Sequence, residues 1–367
     1  MNLNSPAWQK NPAQSASTSK TSGIPGSDSP ARGYTDPVTG TTFPQGPYQE
    51  SWYLSLRDPL TLRALDLRFS ILISSNGFRR VAEAWGVFFQ KNPGSEAQKI
   101  ALKESFDLKT FSTVMNKEGF QIADCEFSDT TTRGKVQSKG RSIEWELTME
   151  PRQSTEFDLV PGAVKRMGLV RHMIVTPQPD LAFTGVVRVN GEEYQFNRAP
   201  GMQGHQSGPR NAHSWIHGHC NVFTNEQGVP VPFVFEGLSM RSHLLGGIPS
   251  PKISSLYFLY QGQQHHFNNI RDAIRLQSRH SLNDWTFQAE RGDLLFRGRA
   301  SVEHKDFAGL SLEDTNGSLI YCATSKFSDL EIHVYNRGKL ESALRANQTA
   351  SMEIASRKKN PYVPILV

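Results

Sequence analysis

The sequence predicts an all-β protein, built as one or two barrels or sandwiches. Three observations carry this. Runs of apolar–polar alternation recur from Glu50 onward, turn signals punctuate them, and helical spacing is scarce. The 367 residues suffice for two domains of ordinary size.

Residues 1–46 are rich in Ser, Thr, Pro, Gly and Gln, as in "SASTSKTSGIPGSDSPARG". Such a segment buries too little apolar surface to offset its ordering entropy, so a disordered tail is expected. Its start has no apolar leader core, and no stretch reaches the roughly 18 apolar residues of a membrane helix.

"ESWYLSL" opens the ordered part, with Trp52 and Leu54 on one face. "LDLRFSILIS" places Leu65, Leu67, Phe69, Ile71 and Ile73 together. "EAWGVFF" groups Trp85, Val87 and Phe89, with Glu83 at the rim of that face or paired. "SIEWELTME" sets Ile143, Trp145, Leu147 and Met149 against Glu144, Glu146, Thr148 and Glu150. "LLFRGRASVE" sets Leu294, Phe296, Ala300 and Val302 against Arg297, Arg299 and Glu303. These are half-buried strands of antiparallel sheets. "SEAQKIALKESF" and "LESALRANQTA" are the best short helix candidates. "VNGEEYQFNR" and "YQGQQHHFNN" share a turn glycine followed by Phe-Asn, as a hairpin used once per domain would.

The formal charge of +5 is spread along the chain. This argues against nucleic-acid binding and leaves room for weak contact with an anionic membrane surface. Cys125, Cys220 and Cys322 are odd in number and far apart, which suits a reducing, cytoplasmic setting. No nucleophile elbow, Walker loop, HExxH or dinucleotide fingerprint occurs.

"HSWIHGHCNVF", His213 to Phe223, concentrates the chemistry. If extended, it carries His213, Trp215, His217, His219, Asn221 and Phe223 on one face. Ser214, Ile216, Gly218, Cys220 and Val222 occupy the other. The first face would line a barrel interior that holds a ligand, with Trp215 and Phe223 as apolar walls. Upstream, a glycine-rich loop adds His205, Gln206 and Arg210. Downstream, Glu236 lies in an apolar strand and needs a partner. Two other readings stay open. His213, His217 and His219 could ligate a metal, or the row could be structural.

"PGMQGHQSGPRNAHSWIHGHCNVF", preceded by "GVVRVNGEEYQF", resembles the central segment of a superfamily. Its members include carotenoid hydratases (hydroxyneurosporene synthases), AttH-type proteins and tocopherol-cyclase-like proteins. "DTNGSLIYCATSKFSDLEIHVY" resembles its closing hairpin, and the likeness spans about residues 48–360. It implies two tandem lipocalin-like barrels that enclose an apolar ligand, residues 47–200 and 201–367. It also implies acid–base hydration, isomerisation or cyclisation of an isoprenoid- or polyketide-like molecule without a redox cofactor. The matching positions are His205, Trp215, His217, His219 and Asn221. On this reading His217, His219 and Glu236 are the catalytic candidates and His205, Trp215, Asn221 and Phe223 the substrate-binding ones. The alternative is a non-catalytic carrier of a lipid or other hydrophobic molecule.

Overall fold

The computed structural model describes residues 34–35, 42–43, 46–113, 119–153, 156–160, 162, 173–243, 248–269, 272 and 276–367. Most of the expected tail lies outside the described residues. Within it, Tyr34–Thr35 pairs with Thr42–Phe43, and Phe43 is buried in the first core.

Two large antiparallel sheets follow. In the first, the spatial order is Gln98–Asp107, Arg80–Gln90, Arg63–Ile73, Tyr48–Asp58, Glu192–Gly208, Met173–Val189, Arg141–Pro151 and Thr131–Ser138. Three short strands, Cys125–Ser128, Gly119–Ile122 and Phe111–Thr113, complete that path. The sheet curls on itself. The Gln137 backbone N–H, near one end of the order, donates to the Glu104 carboxylate near the other. The alternating apolar faces turn inward and form one core, with Trp52, Leu54, Leu67, Phe69 and Trp145 at its centre.

The second sheet runs Gln263–Phe267, Ile253–Tyr260, Val234–Arg241, Ser214–Cys220, Lys339–Ser356, Leu319–Asn336, Leu294–Ser301, Asp284–Arg291 and Gln277–His280. Its core is aromatic. Phe258 stacks on Phe296 at 4.3 Å and Phe235 on Phe287 at 4.7 Å, beside the fully buried Trp285. The architecture is the expected all-β tandem of lipocalin-like halves. Among the described residues no helix is long and apolar enough to cross a membrane.

Both helix candidates are strands. Gln98–Asp107 pairs along Arg80–Gln90, and Lys339–Ser356 lies between Leu319–Asn336 and Ser214–Cys220. A helix of about a dozen residues is marginal by itself. Sheet pairing satisfies the same backbone and buries one face.

The glycine-rich stretch expected as a loop is also strand. Glu192–Gly208 crosses positions 200 and 201 and stays paired with Tyr48–Asp58 as far as Gly208. The chain changes sheet between Gly208 and Ser214. The glycines serve close approach. A Cβ on Gly201 would lie 2.2 Å from the Ser55 carbonyl oxygen, and one on Gly204 would lie 2.0 Å from the Tyr53 ring.

The echoed hairpins turn on Asn190-Gly191 and Gln261-Gly262, with positive φ at both residues. Lys139-Gly140 and Arg337-Gly338 do the same. The echo therefore reflects a tight turn that matches strand twist wherever it is used.

The halves pack through faces that point away from both barrel cores, among them the apolar face that alternation finds in "EAWGVFF". Trp85, Val87 and Phe89 of the first half cluster with Leu310, Leu312, Cys322 and Phe327 of the second. Phe157, Leu159 and Val160 cluster with Leu238, Met240 and Tyr257. Lys91 reaches across to Asp306 at 2.6 Å, both side chains buried.

Candidate functional site

The histidine run splits into two parts. Ser214–Cys220 is an interior strand between Val234–Arg241 and Lys339–Ser356. Ile216 and Cys220 face the second barrel's core. Gly218 shares that face, and a Cβ there would stand 2.8 Å from the Trp285 ring. Trp215, His217 and His219 consequently point out of the second barrel and onto the first half. This corrects the expectation that the row lines a barrel interior. That interior is filled by aromatic rings.

Between the halves lies a cavity of about 120 Å³. Tyr53, Arg68, Trp85 and Met202 line it from the first half. Trp215, His217, Leu238 and Met240 line it from the second. An apolar enclosure with a few convergent polar groups is the form of a small-molecule site.

His217 is the chemical centre. Its Nε2 lies 3.0 Å from Glu236 Oε1, and Thr176 Oγ1 donates to that same oxygen at 2.6 Å. Glu236 is fully buried. Its Oε2 has no partner among the described residues. With Nε2 held by the carboxylate, Nδ1 is the ring nitrogen left to meet a ligand. Trp215 is also in place, its Nε1–H donating to Glu353 Oε1 at 2.7 Å.

The other candidates go elsewhere. His219 is fully buried and outside the cavity wall. Its Nε2–H donates to the Pro179 carbonyl at 2.7 Å and its Nδ1 accepts from Arg57 at 3.3 Å. Burial and the Arg57 charge hold its pKa well below the ordinary histidine value, so the ring stays neutral. The structure does not pair it with His217 at the site. His205 lies inside the first barrel, its Nε2 2.7 Å from Glu50 Oε1 and its ring stacked on Trp52. Asn221 donates to Asp180 and to the Gly201 carbonyl, which ties the halves together. Phe223 packs on Phe233 in the second core. The extended run ends at Cys220; Asn221 still meets the first half, as His219 does, but Phe223 turns into the second core.

The three candidate metal ligands take separate partners. His213 sits edge-on to His243, and Arg210 pairs with Asp314. Among the described residues no group of three or more His, Cys, Asp or Glu side chains is arranged to hold a metal ion.

Tyr53 was not among the candidates. Burial and the nearby Glu236 and Glu353 carboxylates push its pKa up, so its phenol stays protonated. It lies on the face of "ESWYLSL" opposite Trp52 and Leu54, with Ser55 and Arg57. A row of Tyr, Ser and Arg was its signal, but it reads like a solvated face.

The tocopherol cyclase-like family model matches residues 75–356, which include this whole strand and both of its neighbours. The chain belongs to the tocopherol cyclase-like family. Among solved structures, this family member is similar to an AttH candidate from Nitrosomonas europaea at 14% identity. That alignment covers 84% of this chain and 93% of the other, with a TM-score of 0.48. It is also similar to kievitone hydratase from Nectria haematococca at 10% identity, covering 84% and 88%, with a TM-score of 0.45. No curated protein matches the sequence.

Proposed function

We propose that this tocopherol cyclase-like protein is an enzyme that hydrates, isomerises or cyclises a hydrophobic, isoprenoid- or polyketide-like molecule between its two halves. One observation carries the reading: His217, in the wall of an apolar cavity, is held by the buried Glu236. Glu236 fixes the tautomer and supports positive charge on the ring, so Nδ1 can take a proton from water or substrate and return it. The Tyr53 phenol, kept neutral, offers a hydrogen-bond donor in the same cavity. Trp85 and Trp215 offer faces that tolerate developing cationic charge. His219 and His205 support the framework in this reading.

A non-catalytic carrier needs the apolar walls but gains nothing from a buried carboxylate aimed at an imidazole. Burying Glu236 costs free energy that a carrier has no reason to spend. The test is incubation with a panel of isoprenoid alkenes, alcohols and quinols in deuterium oxide, read by mass spectrometry. Solvent deuterium entering product with the parent protein, and not with His217→Gln, supports the enzyme. A panel member bound stoichiometrically and recovered without deuterium from both would make the protein a carrier.

A further inference from the structure

One end of the cavity is polar, and the proton-transfer reading does not use it. Ser55, Asp66, Thr324 and Lys326 line that end. Lys326 Nζ and Asp66 Oδ2 form an ion pair at 2.6 Å. The Ser55 and Thr324 hydroxyls are buried and have no partner among the described residues. One pleat beyond Ser55, on the same face of Tyr48–Asp58, stands Arg57.

Arg57 is only 1% exposed. Its guanidinium makes one side-chain hydrogen bond, to Nδ1 of the neutral His219. Its Nε and NH1 have no partner among the described residues. A buried guanidinium without a carboxylate is costly, and hydrogen bonding to a neutral ring does not offset its charge. The carboxylate it feels is Asp66, whose charge Lys326 already matches. Asp66 Oδ1, also unpartnered, opposes an anion. Among the charged side chains of the wall Lys326 and Arg68 match Asp66 and Glu353, so the one positive charge in excess is that of Arg57, which stands behind the wall. This end also offers two free hydroxyl donors. At the far side of the cavity Trp215, Leu238 and Met240 supply apolar surface.

We propose that the ligand is an amphiphile with a carboxylate-type anionic head group, seated against Ser55, Thr324 and the Arg57–Lys326 charges, with its apolar body along Trp215, Leu238 and Met240. This rests on the cavity being the ligand site and adds the class of ligand. The head group fixes which carbon of the chain lies against His217, so it sets the position of reaction as well as affinity.

The experiment titrates two probes sized to the cavity, 3-methylbut-2-enoic acid and its methyl ester, by quenching of tryptophan fluorescence. The acid should bind about tenfold or more tightly than the ester, the scale of hydrogen bonds to a charged group. Arg57→Met and the double variant Ser55→Ala/Thr324→Val should each cut that preference at least about threefold, weakening the acid more than the ester. The double variant removes only unpaired hydroxyls, so it remains informative if Arg57→Met fails to fold. Equal or tighter ester binding by the parent protein, or an acid preference undiminished in the double variant, overturns the head-group assignment alone. Binding of neither probe overturns the cavity as a site for apolar chains, and this proposal with it.

Discussion

His217 and Glu236 meet at 3.0 Å across two adjacent strands, and the contact is diagonal. The residue directly opposite Glu236 is His219, and the one opposite His217 is Leu238. Glu236 thus passes over its nearest neighbour, which is occupied with Pro179 and Arg57, to hold the histidine that faces the cavity. His217→Ala should reduce turnover by roughly 10²–10⁴-fold, the usual worth of a positioned acid–base group. Stability should fall by about 1–3 kcal/mol, because the ring borders a cavity but its loss leaves the buried Glu236 carboxylate on Thr176 alone. Deuterium incorporation together with urea unfolding checks both. Large destabilisation with normal turnover would place His217 in the scaffold.

The Lys91–Asp306 pair should clamp the halves together. Asp306 also accepts from the Ala97 backbone N–H. Asp306→Ala strands a buried ammonium and should cost about 3–5 kcal/mol, while Lys91→Met with Asp306→Leu should recover most of it. Urea unfolding of the single and double variants measures this. Equal losses in both would mean the carboxylate matters through Ala97 alone.

Gly204→Ala should act on the site more than on the fold. The added Cβ meets the Tyr53 ring, which has the cavity to move into. Probe affinity should fall at least about tenfold with less than about 1 kcal/mol of stability lost, since a ring shifting into open space strains little. Fluorescence titration alongside thermal unfolding separates the two effects. Unchanged affinity would show that Tyr53 gives way elsewhere.

Acid should weaken the protein before its carboxylates titrate. Burial and the Arg210 and Arg357 charges lower the His243 pKa to about 4. His219 is driven down by burial and Arg57. An unfolded chain protonates both near pH 6.5, so it binds more protons than the native state from there down towards pH 4. Stability is full above about 6.5 and is lost as pH falls through that window. The unfolding midpoint should drop between pH 7 and 4.5, less steeply in His243→Gln. A flat profile would mean that these rings accept protons in place.

Sequence pattern located much of this molecule. Alternation at Leu65–Ile73, Ile143–Met149 and Leu294–Val302 identified strands and their inward faces, because a period of two has one geometric meaning. The family resemblance on the Pro200–Phe223 stretch supplied the tandem architecture. His217, Glu236 and Trp215 were legible as an imidazole, a carboxylate stranded in an apolar run, and a ring beside them.

Alternation says that a strand has two faces, but not what covers each. Tyr53, Ser55 and Arg57 drew no assignment and Phe223 read as a ligand wall, because a sequence does not show which side of one barrel meets another. The chain by itself determined the strands, their inward faces and the residues capable of proton transfer. Only the tertiary structure decided that the reactive row turns away from its own barrel. Trp285 and the phenylalanines fill that interior, leaving Gly218 room for no side chain. Close packing therefore sends Trp215, His217 and His219 to the junction, where the second half's outer face meets the first.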